Sequence, residues 1–374
     1  MAISKSSKTL VIGDWDADGV IAAAEVVYSQ EILGVFPDRC KCGVEAVPAS
    51  PRTLASVLEK LKDTCWGNVV ILDIPYTDEV AKALADFIQQ QRSKGCQAKV
   101  YYFDHHNVTI ERSHEIEAGL QGLPFVGVSS TSVLVRAFLE SQGAKLSQRL
   151  KELVMAAAVL EGGGGLTKAL KQRGPTVPEG VIKMVASISK ALNQTKDPEM
   201  WKRYVRWAAS ILPFEIAVGE TSNPLSQGLS ISEESDKEVK QAAIELAMSA
   251  KNVGPIKLVD ARGKWNKSGS SALASAIYKM TRTTTALLVT KSDGTTLLII
   301  RSGRGEAMKL AEELYKSGLA LDVGGHHNIA SVRLRDGVTV PQLEDALRRA
   351  VLNMAKTSAR KTSNDGGPAP SKDA

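Results

Sequence analysis

Aromatic residues are scarce in this 374-residue chain: Phe, Tyr and Trp together make up 5% of it. A surface that holds nucleotides mainly by stacking bases on rings is therefore poorly supplied. Cysteine is sparse too. Cys40, Cys42, Cys65 and Cys96 are too few and too scattered for a disulfide framework. Cys40 and Cys42 are spaced C-x-C, with no second pair or nearby histidine to complete a zinc site. This usage points to a reducing, intracellular compartment and a cytoplasmic location. No apolar run approaches the roughly 20 residues of a membrane span, so no membrane partner is expected. The start, "MAISKSSKTL", lacks the apolar core of a signal peptide. Histidine occurs only five times, and four of the five fall in two adjacent pairs, His105–His106 and His326–His327.

What is present suits a soluble chain of two or three domains: 43% apolar residues, 24% charged, and a net charge of +6. The positive balance favours a polyanionic partner.

The first half alternates strand and helix. "TLVIGD", "NVVILDI" and "AKVYYFDHH" read as strands; "GVIAAAEVVYSQEI", "TDEVAKALADFIQQQRSKG", "STSVLVRAFLESQG" and "LSQRLKELVMAAAVLEGGGG" read as helices. This order predicts a mostly parallel sheet with helices on both faces. Residues 191–254 read as a helical linker. From 255 to 356, "PIKLVDARG", "TTALLVTKSDGTTLLIIRSG" and "IASVRLRDG" supply strands for a second, smaller α/β domain, with "DG" at Asp293–Gly294 as a hairpin turn. The tail, 357–374, is nearly devoid of apolar residues and is expected to be disordered.

In parallel sheets, sites form beyond the carboxyl ends of strands. The polar clusters of residues 1–190 fall there. "DWDADG" carries Asp14, Asp16 and Asp18; "VVILD" ends on Asp73; "FDHH" carries Asp104, His105 and His106. One strand-end aspartate is ordinarily a cap. Three strand ends bearing five carboxylates and two imidazoles, with no Lys or Arg beside them, call for cations, because like charges repel and raise one another's pKa. Oxygen and imidazole donors suit Mn²⁺, Mg²⁺ or Zn²⁺. Two such ions form a device for in-line attack on phosphorus.

"DxDADG", the isolated Asp73, "FDHH" and the later "VGGHHNIASV" resemble, in this order, the motifs of the DHH/DHHA1 phosphoesterase superfamily. That group holds the RecJ exonucleases, nanoRNases, cyclic-dinucleotide phosphodiesterases and Cdc45, and the wording is nearest to archaeal RecJ-like proteins. The motifs span residues 8 to about 352. The resemblance implies a DHH domain over 1–190 and a DHHA1-like substrate-binding domain over 255–356. It implies two ions, Mn²⁺ or Mg²⁺, held by Asp14, Asp16, Asp18, Asp73 and His105. Asp104 and His106 would orient those ligands or help stabilise the attacked phosphate, and with His105 they make up the catalytic set. The family's fourth motif has an aspartate where "VMAAAVLEGGGG" offers Glu161, whose carboxylate reaches one methylene further. Glu161 is either a displaced metal ligand, helped by Gly162–Gly165, or an exposed helix-end residue.

In the second domain Gly324 and Gly325 permit close backbone approach, and His326 and His327 follow. By resemblance, His327 takes the place of the motif histidine. Arg301, Ser302 and Arg304 end the strand "TLLII". Backbone amides, a histidine and an arginine make a phosphate or 3′-end clamp.

The activity implied is metal-dependent hydrolysis of single-stranded DNA or RNA from an end, by water activated between two ions. A nanoRNase or cyclic-dinucleotide phosphodiesterase is the alternative within enzymes. A weak or inactive Cdc45-like replication factor is the alternative outside them. The partners implied are single-stranded nucleic acid or short oligonucleotides, and replication or repair proteins of helicase or GINS-like type.

Overall fold

The computed structural model describes residues 8–120, 122–161, 177–212, 224–267, 269–291 and 293–364. The chain divides into two compact units, Met1–Glu233 and Glu234–Ala374, each built on one sheet.

In the first unit the chain runs β1 (Lys8–Gly13), α1 (Ala17–Val27), β2 (Val44–Pro48), α2 (Leu54–Leu61), β3 (Trp66–Leu72), α3 (Asp78–Ser93) and β4 (Lys99–Asp104). It continues through α4 (Asn107–Glu111), α5 (Ser113–Leu120), β5 (Leu123–Val126), α6 (Thr131–Ser141), α7 (Gln148–Leu160), α8 (Glu179–Thr195) and α9 (Pro198–Ala208). The sheet order is β2-β1-β3-β4-β5 and every pairing is parallel.

Strand residues alternate between two cores, as the two-residue period of a strand requires. Val11, Val70, Leu72, Tyr101 and Phe103 pack with α1, α6, α7, α8 and α9. Leu10, Ile12, Val69, Ile71, Val100 and Tyr102 pack with α2, α3 and α5. Both faces are covered, which is why these strands read as unbroken apolar runs. The expected architecture is therefore the observed one. The sequence gives weaker signals for β2 and β5, the two edge strands. Each is short and holds a proline, a residue confined to sheet edges.

The second unit contains α10 (Pro224–Met248), which crosses the division, then β6 (Lys251–Val253), β7 (Ile256–Asp260), α11 (Ser270–Thr281), β8 (Thr284–Thr290) and β9 (Thr296–Arg301). It ends with α12 (Ala307–Lys316), β10 (Ala320–His326), β11 (Ile329–Leu334) and α13 (Val340–Asn364). The order is β10-β11-β9-β8-β7-β6, with only β7–β8 parallel. One face packs α12 and α13, and the other packs α10 and α11.

Four features differ from the sequence reading. The cysteines pair, Cys40 with Cys42 and Cys65 with Cys96. Cys65 precedes β3 and Cys96 precedes β4; these strands are parallel neighbours, so loops 31 positions apart in sequence meet at one end of the sheet. Much of the presumed linker is core. Trp201, Tyr204 and Val205 of α9 are fully buried in the first unit, and Val239, Ala243 and Leu246 of α10 pack in the second. The "VGGH" stretch is itself a strand, β10, at the sheet edge. Finally, α13 continues to Asn364, past the start of the supposedly disordered tail at 357. From Gln342 to Asn364 there is no Gly or Pro to stop a helix rich in Ala, Lys and Arg. Residues 365–374 lie outside the described residues.

Candidate metal centre and clamp

Register brings the strand-end carboxylates together. Gly13 pairs with Leu72, and Leu72 with Phe103. The next residues, Asp14, Asp73 and Asp104, therefore leave three adjacent strands at the same level. Backbone bonds extend the ladder: Asp14 N–H donates to the Leu72 carbonyl at 3.2 Å and Asp73 N–H to that of Phe103 at 2.9 Å.

The turn after β1 is tight. Asp16 is the N-cap of α1, accepting from Gly19 N–H at 3.0 Å. A Cβ on Gly19 would lie 2.7 Å from the Asp14 backbone N and O, so "DADG" needs glycine there. Trp201 of α9 closes the turn, its indole N–H donating to the Asp14 carbonyl at 2.9 Å.

Asp18 is buried and faces the start of α6. It accepts from Thr131 N–H at 2.6 Å, from Ser132 N–H at 3.1 Å and from the Ser132 hydroxyl. Ser130, the N-cap of α6, makes no side-chain cap bond. Asp18 supplies the anion that a helix N-terminus favours, from a residue far away in sequence. Asp73 has φ +60°, a left-handed conformation that strains any residue with a Cβ. Its Oδ1 accepts from the Thr131 hydroxyl at 2.8 Å and lies 3.3 Å from His105 Nε2. Asp104 commits both oxygens, one to His106 Nδ1–H at 2.8 Å and one to the Thr109 hydroxyl. Asp73, His105 and His106 each offer a ligand atom, all within 4.8 Å of one another.

The electrostatics are those of a site short of positive charge. Burial, reinforced by Asp16, pushes the Asp14 carboxyl up to about 7, against the pull of Lys196 and His106. Burial likewise raises Asp18, although His105 and the Ser132 bonds oppose it. Asp73 is raised well above the usual carboxylate range by burial and then by Asp16, Asp18, Asp104 and Asp14. For His106 burial acts downward, but the Asp104 bond and the surrounding carboxylates outweigh it and the net shift is upward. Glu161, the C-cap of α7, is exposed at the helix end. The protein crowded around its carboxyl, with the charges of Asp16 and Asp18, nevertheless pushes it up to about 8, so it feels the cluster's field. Gly162–Gly165, invoked to let it reach, lie outside the described residues. Carboxyls raised by burial and by one another, beside imidazole donors, fit divalent cations.

Sequence reasoning missed the supports: Thr109, Thr131, Ser132, Trp201 and Lys196. Lys196 ends α8 at φ +48°, with its ammonium 5.3 Å from the centre of the Trp15 ring. None of the five carries a local motif; each reaches the site only through the fold.

In the second unit two turns come together. Arg301 pairs with Ile329 across β9 and β11, and its guanidinium donates to the Asn328 carbonyl at 3.1 Å. Ser302 is buried; its N–H donates to the Asn328 carbonyl, and its hydroxyl accepts from Arg304 N–H at 3.2 Å. His327 packs on Gly305, 3.5 Å from where a Cβ would stand. Gly325, at φ +129°, is required by the hairpin itself: a Cβ would lie 2.4 Å from the Ile329 carbonyl oxygen. Gly324 is exposed with open space before it. The side chain of His326 lies outside the described residues. The structure thus gathers Arg301, Ser302, Arg304, Gly324, Gly325 and His327 around one β-hairpin end.

No protein-family model and no curated protein sequence matches the chain. Solved structures do. RecJ from Thermus thermophilus in complex with Mn²⁺ aligns at a TM-score of 0.59 with 16% identity, over 94% of this chain and 53% of that one. The chain thus spans about half the length of that RecJ. An exonuclease RecJ bound to manganese aligns at 0.57 and 16% identity, over 95% and 91% of the two chains. The DHH domain of a member of the s1p family of ribosomal proteins aligns at 0.60 and 15% identity, over 92% and 87%. The chain has the two-domain fold of RecJ and of that DHH domain.

Proposed function

We propose that the chain is a metal-dependent phosphodiesterase that hydrolyses single-stranded DNA or RNA from an end. The observation that supports this is the meeting of Asp14, Asp16, Asp18, Asp73 and His105 at three adjacent strand ends, with carboxyls pushed up in pKa by burial and mutual repulsion. Asp14, Asp16, Asp18, Asp73 and His105 would hold two Mn²⁺ or Mg²⁺ ions, with Glu161 completing the set; Asp18 also ties the cluster to α6. Such ions, when bound, supply activated water and charge neutralisation at phosphorus. The protein's own work is positioning. Thr131 orients the Asp73 carboxylate. Asp104 and Thr109 fix the His106 ring, leaving its Nε2 to donate to a phosphate oxygen. Lys196 places a positive charge beside Asp14. Arg301, Arg304 and His327 would grip the strand's phosphates, with few aromatics for reading bases. Replication or repair proteins are the partner class this reading carries.

Glu161 in place of an aspartate favours one second reading, a catalytically weak relative that keeps the fold as a scaffold. Incubating the chain with Mn²⁺ and 5′- or 3′-labelled single-stranded DNA and RNA, beside an Asp104→Ala control, separates the two. End-directed shortening by the wild type alone supports the hydrolase. No cleavage of any strand, with Mn²⁺ bound, supports the scaffold.

A further inference from the structure

The second unit contains a cavity of about 800 Å³, within the range of small-molecule sites. It opens beside the Arg301–Arg304 turn, but neither Arg301 nor His327 forms its wall. Its floor is apolar: Ile256 of β7, Leu310 of α12, and Val351 and Met354 of α13. Three cations stand on its rim, Arg282, Arg304 and Lys309. None of their side chains has a hydrogen-bond or ion-pair partner among the described residues. The fourth, Lys316, is paired with Glu313, leaving Glu306 and Glu312 as the wall's uncommitted carboxylates. Arg282 adopts φ +53° at the end of α11, a strained placement for a residue with a Cβ.

Tyr278 joins this cavity to the clamp. A Cβ on Gly303 would stand 1.8 Å from its hydroxyl oxygen, so the phenol lies directly on the clamp turn. The Arg301 guanidinium sits 6.0 Å from the centre of the same ring.

An apolar floor, one aromatic ring, unpaired guanidinium and ammonium groups on the rim, and two carboxylates able to accept from hydroxyl or amino groups match a flat heterocycle attached to a phosphate. We propose that this cavity is a second binding site and that it holds one nucleotide unit, with its phosphate on Arg282 and Lys309, next to the clamp's Arg304, and its base on the Ile256–Leu310–Met354 floor. The choice of a nucleotide rests on the chain's acting on nucleic acid; the unpaired cations over an apolar floor do not. The unit has two sources, a free mononucleotide or a nucleotide of a bound strand.

The test is equilibrium binding of adenosine 5′-monophosphate to the full chain in excess EDTA, where the metal centre cannot contribute. Binding is expected to persist in EDTA and in His105→Ala, and to weaken at least tenfold in Arg282→Glu/Lys309→Glu. Arg282→Gln/Lys309→Gln serves if the charge reversal disturbs folding. Adenosine and inorganic phosphate, each offering half of the contacts, should each bind at least tenfold more weakly. A short strand that displaces the mononucleotide identifies a strand subsite; failure to displace identifies a free-nucleotide site. No binding at millimolar concentration in EDTA, or equal binding by the rim variants, overturns the proposal. Neither result bears on hydrolysis, which is measured separately with Mn²⁺ and Asp104→Ala.

Discussion

The two sheets of this chain carry opposite charge at their working ends. In the parallel sheet, aspartates follow β1 and β3 directly and end β4. Asp14, Asp18 and Asp73 are held above their ordinary pKa by burial and by neighbouring carboxylates. In the mixed sheet, β9 ends on Arg301 and the neighbouring turns add Arg304 and His327, with no carboxylate among those residues. A parallel sheet points all its carboxyl ends one way, so residues from distant segments converge. An antiparallel hairpin end gathers only what two adjacent turns supply. The first arrangement can concentrate charge enough to demand cations; the second presents donors to an anion. On this account chemistry belongs to the first unit and grip to the second.

The sharpest way to break that division is His105→Ala. It should lose bound metal and lower hydrolysis by about 10³-fold or more, roughly 4 kcal/mol, while circular dichroism stays native. Metal analysis and single-strand cleavage check this. Retained metal with normal cleavage would remove His105 from the centre.

Arg301→Ala and His327→Ala should show the complementary pattern. KM for a strand should rise about 10- to 100-fold, metal content should stay unchanged, and a small generic phosphodiester should be affected much less. Normal strand hydrolysis by both would make the second unit a docking surface rather than a clamp.

Glu161→Ala should cost more than tenfold in rate, about 1.4 kcal/mol or more, and Glu161→Asp should keep or raise it. The carboxyls pushed up to about 7 at Asp14 and about 8 at Glu161 also set a pH dependence without metal. A cation must displace those protons, so Mn²⁺ affinity should rise with pH through 7 to 8, with protons released on binding. Glu161→Ala should flatten the upper part of that rise. Calorimetry in buffers of different ionisation enthalpy measures both.

Glu25 gives a smaller test, away from any ligand. It is fully buried on α1 with both oxygens unpartnered among the described residues, and burial raises its pKa well above the usual value despite Arg136. The folded state holds this proton where the unfolded state has lost it. Stability therefore falls as pH rises above the unfolded carboxyl value. Glu25→Gln should be more stable than wild type at pH 8, with the gain vanishing near pH 5, as thermal unfolding at the two values will show.

Much of this contrast was written locally. Asp14–Asp18, Asp73 and Asp104–His106 follow apolar strand runs directly, so strand-end placement follows from the run itself. Thr77, just before the following helix, is its N-cap, accepting from Val80 N–H at 3.4 Å. What the sequence hid is what only tertiary proximity creates. Thr131 and Ser132 look like ordinary helix-start residues, yet they hold Asp73 and Asp18. Trp201 lies 187 positions from the carbonyl it bonds. Cys65 and Cys96 meet because two strands are parallel neighbours. The Gly-Gly pair of β10 suggested a ligand-facing loop, whereas Gly325 answers to its own hairpin and Gly324 alone faces open space.

The central claim is that the first unit's carboxylates exist to hold two cations. Titrating the metal-free full chain with Mn²⁺ at pH 8.5 and pH 6, beside His105→Ala, tests it most directly. The account predicts two ions per chain at pH 8.5, weaker binding at pH 6, and loss of binding in His105→Ala. Binding of no Mn²⁺ at pH 8.5, or binding indifferent to both pH and His105, would contradict it.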